Sequence, residues 1–134
     1  MTKQQKKTIE REFYNYTKNR QQAAEYVASN AFAHFSVDYS SERVKSSSGN
    51  YAEQKVIRAI DEADRMWRWC LVFEKTIERF RWEQKDKLMR MKYIERKKPL
   101  EIYTTIGVER RTYFYWLEEI RTIAFMWALD LKLF

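Results

Sequence analysis

Residues 97–131 read KKPLEIYTTIGVERRTYFYWLEEIRTIAFMWALDL, with one proline near the start and one glycine after the first third. Pro99 suits the first turn of a helix, because its ring fixes φ and its missing N–H would be unpaired there. Gly107 ends that helix, since it adopts the left-handed conformation that a Cβ atom disfavours. A second helix restarts near Glu109, whose acid favours the positive end of the helix dipole. The stretch therefore predicts a helix over residues 100–106, a short turn and a long second helix.

The second helix has a charged, aromatic beginning and an apolar stripe along its length. In helix-turn-helix proteins the first turns of the second helix enter the major groove of DNA. The candidate DNA contacts in those turns are Arg110, Arg111, Thr112, Tyr113 and Tyr115. The stripe, which we expect to be buried, consists of Tyr113, Trp116 or Leu117, Ile120, Ile123 or Ala124, Trp127 and Leu131.

The two adjacent arginines allow two interpretations. An arginine side chain reads guanine through two hydrogen bonds and also binds phosphate. Alternatively, Arg110 and Arg111 pair with Glu109 and Glu118 on the protein surface. The Tyr115 hydroxyl can donate to a phosphate oxygen, whereas neighbouring aromatic side chains divide between the core and the edge of the groove.

Positive charge is concentrated just before the two C-terminal helices. The 134-residue chain has a net charge of +7, and residues 79–98 alone carry nine Lys or Arg against three Asp or Glu. Such a patch attracts polyanions through counterion release, although a solvated helix face is the alternative. We predict that Arg96, Lys97 and Lys98 contact phosphate.

The scarcity of helix breakers predicts an all-α fold. Two glycines and one proline in the whole chain favour long helices over a sheet with many turns. Apolar residues at three- and four-residue steps predict helices over residues 3–32, 51–80 and 82–93. The predicted organisation is an N-terminal helix in residues 1–35, a serine-rich linker at 36–50 and a helical domain at 51–134, with the helix-turn-helix at about 84–134.

The helix predicted over residues 51–80 carries a long apolar face. Charged residues alternate on its opposite side, close enough for pairing one turn apart. The apolar face is that of an amphipathic helix. Its members are Val56, Ile60, Ala63, Trp67, Cys70 and Ile77, widened by Ile57, Met66, Leu71, Phe73 and Phe80.

Nothing in the sequence predicts an enzyme, a cofactor or a metal site. Cys70 is the only cysteine and His34 the only histidine, so a cysteine-based zinc site is excluded. Glycine-rich phosphate loops and nucleophile elbows are absent from the sequence. The first residues lack the apolar core of a signal peptide, and no apolar run is long enough to span a bilayer.

The order of elements and one segment together resemble a known family. A long N-terminal helix, a serine-rich connection and a long charged helix precede residues 88–120, which read LMRMKYIERKKPLEIYTTIGVERRTYFYWLEEI. This combination resembles the phage-encoded late transcription regulators of the ArpU/RinA type. The C-terminal part of those proteins is similar to the sigma-factor domain that reads the upstream promoter element.

The resemblance implies roles for individual residues. Leu88 and Tyr93 would be core residues of the preceding helix, and Val108 would fill the core position of the turn. The first helix of the motif would pack through Leu100, Ile102 and Ile106. DNA would be contacted by Arg110, Arg111, Thr112 and Tyr115.

From these observations we expect a DNA-binding transcription regulator of a phage or prophage that acts on late genes in the cytoplasm of the bacterial host. Its partners would be double-stranded DNA and a second copy of the chain, joined through the long helices, because one such helix reads few bases. Contact with RNA polymerase stays open. Two alternatives are a small DNA-packaging subunit of the terminase type and a helical protein–protein interaction module.

Overall fold

The computed structural model describes residues 1–40 and 49–134, and it describes side chains outside residues 30–52. These residues form helices and turns without a strand, so the predicted all-α class is confirmed. In chain order the elements are α1 (Lys3–Tyr14), α2 (Tyr16–Ser40), α3 (Gly49–Arg79), α4 (Gln84–Met89), a π-helical turn (Arg90–Ile94), α5 (Pro99–Ile106) and α6 (Arg110–Asp130).

The N-terminal segment is two helices rather than the single helix predicted over residues 3–32. Thr2 caps α1, because its hydroxyl accepts from the backbone N–H of Gln5 at 3.1 Å while Gln5 Oε1 accepts from the backbone N–H of Thr2 at 2.8 Å. Asn15 ends α1 with φ −89° and ψ 4°. The interruption lets Phe13 enter the core while the ring of Tyr16 stacks on Phe73 at 4.1 Å.

One core joins both ends of the chain. Helix α1 packs against α3, the π-helical turn and α6, and its Ile9 and Phe13 are fully buried. Phe13 lies edge-to-face against Phe73 of α3 and Tyr93 of the π-helical turn, at 5.1 and 5.2 Å between ring centroids. Leu88 and Tyr93 are buried, as the family resemblance implied.

Helix α3 is buried over its C-terminal half only. Trp69, Cys70, Val72 and Phe73 lie in the core, and burial raises the pKa of the Cys70 thiol to about 11. Before Arg68 the apolar face is covered only in part, by α2 and by the C-terminal Lys132 and Leu133. The side chains left exposed there are Val56, Ile57, Ile60 and Trp67.

The helix predicted over residues 82–93 is shorter and changes type. Trp82 has a positive φ of 70°, so the chain turns before α4 begins at Gln84. The π-helical turn then follows α4 directly and buries three consecutive side chains, Met91, Lys92 and Tyr93. A π-helix, with hydrogen bonds from i to i+5, is rare and usually limited to one turn.

Helices α5 and α6 lie where the sequence predicts them. Gly107 adopts φ 81° and ψ 34° at the end of α5, and Val108 packs against the core. Ile102 and Ile106 are buried as expected, whereas Leu100 is exposed. Helix α6 buries one stripe, called here the α6 seam: Tyr113, Leu117, Ile120, Ala124 and Ala128.

The predicted serine-rich linker lies partly outside the described residues. Helix α2 continues to Ser40 and α3 begins at Gly49, whereas residues 41–48 are not described. The His34 side chain is likewise not described. Among the helices that are described, none combines the length and the apolar character needed to cross a membrane.

Replacing Gly107 tests the turn between α5 and α6. A Cβ at this position would meet no atom within 4 Å, so only the positive φ opposes a side chain. We expect Gly107→Ala to lower the free energy of unfolding by about 1 kcal/mol, measured by urea denaturation. Gly107→Asn should cost less, because asparagine tolerates this conformation. Equal stability of Gly107→Ala and the wild type would contradict the assignment.

Candidate nucleic-acid interface

The α6 seam determines what the first turns of α6 expose. With Tyr113 and Leu117 turned into the core, the opposite side presents a second set of side chains to solvent. They line a shallow surface depression of about 590 Å³. This α6 face consists of Arg110, Arg111, Phe114, Tyr115 and Glu118.

The two arginines are available to an external acceptor. Within the described residues neither Arg110 nor Arg111 forms an ion pair. The alternative interpretation, in which they pair with Glu109 and Glu118, is therefore wrong. Glu118 is instead occupied by Lys6 at 3.0 Å and by Arg121 at 2.8 Å. The hydrogen bond from Lys6 lowers the pKa of the Glu118 carboxyl, with a further contribution from Arg121.

The aromatic side chains give this face apolar and polar ends. The Arg110 guanidinium lies 5.5 Å from the ring centroid of Phe114, and Phe114 meets the buried Tyr113 ring edge-to-face at 5.1 Å. Phe114 is therefore held from two sides while 43% of it stays exposed. Tyr115 is 62% exposed, so its hydroxyl can reach a ligand.

Tyr113 does not belong to this face, and the prediction that it contacts DNA is wrong. Its side chain has no exposed area, its ring packs near Tyr103 at 5.9 Å, and its hydroxyl finds no hydrogen-bond partner among the described residues. Burial raises the pKa of Tyr113 to about 12. Thr112 is half-buried beside it.

The three predicted phosphate contacts before α5 differ in how tightly they are held. Arg96 donates to the carbonyl oxygen of Tyr14 at 3.0 Å from a backbone with φ 56°. Lys97 lies 4.0 Å from both Glu95 and Glu101. Lys98 is exposed immediately before Pro99 and forms no ion pair within the described part of the chain.

A group of polar residues, called here the Glu10 cluster, positions α6 from the far end of the sequence. Glu10 Oε1 accepts from the Tyr93 hydroxyl at 2.7 Å and from Arg121 Nε at 2.9 Å. Lys92 Nζ lies 3.5 Å from Glu10 Oε2 and donates to the Tyr14 hydroxyl at 2.9 Å. Lys92 is thereby buried, so its charge is withdrawn from the basic run of residues 79–98.

A second depression of about 390 Å³ contains residues that sequence reasoning did not assign to the site. It lies between α4, the π-helical turn and α5. The second depression is lined by Lys87, Arg90, Met91, Ile94, Glu95, Lys97 and Thr105.

The α6 face also contains two residues that the sequence analysis did not assign to it, Phe114 and Glu118. Residues four positions apart lie on the same side of a helix, so their spacing from Arg110 could have identified both.

Comparisons with protein-family models, curated proteins and solved structures give no match. Among the described residues, no group of three or more His, Cys, Asp or Glu side chains is placed to hold a metal ion. A function has to be inferred from the chemistry of the exposed residues, because a helical fold serves many functions.

Two buried tyrosines test this assignment of α6. Tyr113→Phe removes a buried hydroxyl that lacks a partner, so we expect the free energy of unfolding to stay equal or to rise by up to about 1 kcal/mol. Tyr93→Phe removes a donor from Glu10 and should lower it by about 1–3 kcal/mol. Urea denaturation at neutral pH measures both. A loss of stability in Tyr113→Phe as large as that in Tyr93→Phe would contradict the described environment.

Proposed function

We propose that this protein binds double-stranded DNA in a sequence-specific manner and regulates transcription. The observation that carries the proposal is the joint exposure of Arg110, Arg111 and Tyr115 on the first two turns of a helix whose other side is packed in the core. A short helix and a glycine turn precede these residues, which is the order found in helix-turn-helix proteins.

The side chains of the α6 face supply the chemistry of base reading. An arginine donates two hydrogen bonds to O6 and N7 of guanine, and a phenylalanine can contact the methyl group of thymine. Arg110 and Arg111 would take the first role and Phe114 the second. The Tyr115 hydroxyl would donate to a phosphate oxygen and fix the position of the helix along the duplex.

Basic residues before α5 and the start of α6 would supply attraction to phosphate. Arg96, Lys97 and Lys98 precede α5, and the N-terminus of α6 adds the positive end of its dipole. These contacts would supply affinity without base preference and would weaken as the salt concentration rises.

The biological setting of the proposal comes from the resemblance to the ArpU/RinA type. By that resemblance the protein would act on late genes of a phage or prophage, in the cytoplasm of the bacterial host. Its sigma-like C-terminal part would make RNA polymerase a further partner. Arginines and an aromatic side chain at the start of α6 agree with this resemblance but do not depend on it.

Arginine substitutions test the reading of bases. The probe is a duplex enriched by capture from fragmented genomic DNA of the source, compared with an unrelated duplex. We expect Arg110→Ala and Arg111→Ala each to weaken binding to the enriched duplex by about 5- to 150-fold, which corresponds to the 1–3 kcal/mol of a bidentate base contact. Fluorescence anisotropy measures the affinities.

Arg58→Ala is the matched control, because Arg58 is an exposed arginine on α3 outside the α6 face. It should bind the enriched duplex like the wild type. Wild-type affinity in both Arg110→Ala and Arg111→Ala would refute the assignment. A wild-type protein that enriches no duplex would favour the interaction-module alternative.

Salt dependence tests the phosphate contacts separately. We expect Lys97→Ala and Lys98→Ala each to reduce the slope of log K against log salt concentration by about 1, on enriched and unrelated duplexes alike. Lys55→Ala, which removes an exposed lysine on α3, should leave the slope unchanged. An unchanged slope in Lys98→Ala would exclude Lys98 as a phosphate contact.

A further inference from the structure

An apolar strip on α3 remains exposed next to the core. This α3 strip consists of Val56, Ile57, Ile60 and Trp67, whose exposed fractions are 52%, 56%, 45% and 45%. Helix α2 packs along α3, and the C-terminal Lys132 and Leu133 lie beside Asp61. Neither covers these four side chains, each of which keeps about half of its surface in solvent. Contiguous exposed apolar side chains on one helix face are typical of an interaction site rather than of scattered surface residues.

The spacing along the strip is that of a helix–helix seam. Val56, Ile60 and Trp67 of the strip lie on one line with the half-buried Ala63. The four residues follow one another at steps of four, three and four, as apolar positions do in coiled coils. The same steps are obtained when the helix is followed in the opposite direction. An antiparallel second copy would therefore face Val56 with Trp67 and Ile60 with Ala63, so that a larger side chain meets a smaller one.

The charges of α3 favour a second copy as the occupant. Residues 53–68 carry four Asp or Glu and four Lys or Arg, although the whole chain has a net charge of +7. Two copies can thus approach along this face without net electrostatic repulsion. A polyanion, in contrast, would find no net positive charge there to attract it. Residues 41–48 of the same chain read SERVKSSS, and a single valine makes that segment a poor cover for an apolar strip.

We propose that the α3 strip is the interface of a two-fold symmetric homodimer with antiparallel α3 helices. The contact is isologous, since the same residues come from each copy. The step between Val56 and Trp67 spans only about 17 Å of helix. A helix contact of this length buries less than the ~800 Å² per partner that a standard interface buries. We therefore expect dissociation in the micromolar range.

The dimer deepens the proposed function, because it would present two α6 faces to one duplex. Half-sites related by a two-fold axis would follow from it. The interface is nevertheless testable without DNA, so its failure and the failure of DNA binding are separate results.

Sedimentation equilibrium of the full chain across the micromolar range tests the interface. The wild type should shift from monomer to dimer with rising concentration, and Ile60→Lys should raise the dissociation constant at least tenfold. Met126→Lys is the matched control: it adds the same charge at a side chain on α6 that is 60% exposed, and it should dimerise like the wild type. Thermal melting by circular dichroism verifies that both variants are folded.

Three results would overturn the proposal. They are a wild type that stays monomeric throughout, an assembly larger than a dimer, and an Ile60→Lys variant that dimerises like the wild type. An Ile60→Lys monomer that still binds a single half-site would support the interface and leave DNA binding intact. Conversely, Arg111→Ala should dimerise normally, whatever its affinity for DNA.

Discussion

A single carboxylate connects three parts of this fold. Glu10 of α1 accepts from Tyr93 of the π-helical turn and from Arg121 of α6, and it lies beside the Lys92 ammonium. These groups are partly or fully withdrawn from water, where electrostatic contacts are strong and a missing partner is costly. The hydrogen bonds fix the N-terminal helix against the C-terminal helix, although the two are over a hundred residues apart in sequence.

The surface chemistry of α6 follows from this attachment. The Glu10 cluster and the α6 seam together set the rotation of the helix about its axis, and that rotation decides which of several adjacent residues are exposed. Arg110, Arg111 and Tyr115 are presented outward because Tyr113 and Leu117 are directed inward. Rigid support of this kind is what a recognition surface needs, since its side chains must keep their geometry before a ligand arrives.

Local chemistry was enough to predict much of this arrangement. The scarcity of glycine and proline indicated helices, and Gly107 marked the turn. The period of apolar residues in α6 identified its buried seam as far as Ala124, whereas the predicted Trp127 and Leu131 are half-buried and Ala128 completes the seam. The position of Tyr113 was predicted less well. An aromatic side chain near the start of a helix, next to other aromatic residues, can face either the core or the solvent. Only the tertiary packing, in which the Tyr103 ring lies 5.9 Å from the Tyr113 ring, settles that choice.

The remaining differences come from contacts between distant residues. The periodicity of α3 predicts an apolar face, but the packing of α2, α6 and the C-terminal residues against α3 decides how much of that face is covered. Lys92 belongs to a basic run, yet Glu10 and Tyr14, about eighty residues earlier, withdraw it from solvent. Neither fact is encoded in the neighbouring sequence. For Arg110 and Arg111, in contrast, the described part of the chain places no carboxylate within ion-pair distance.

The π-helical turn determines which side chains after α4 face the core. The backbone N–H of Glu95 donates to the carbonyl of Arg90, and that of Lys97 to the carbonyl of Met91, so the turn holds more residues than an α-turn over the same span. Leu88 before it and Ile102 after it both enter the core. Losing or gaining one residue at the junction with α4 would rotate the side chains that follow within the turn by about 100°, and would turn Met91, Lys92 and Tyr93 away from their buried positions. The number of residues in this turn is thus as strict a requirement as their identity.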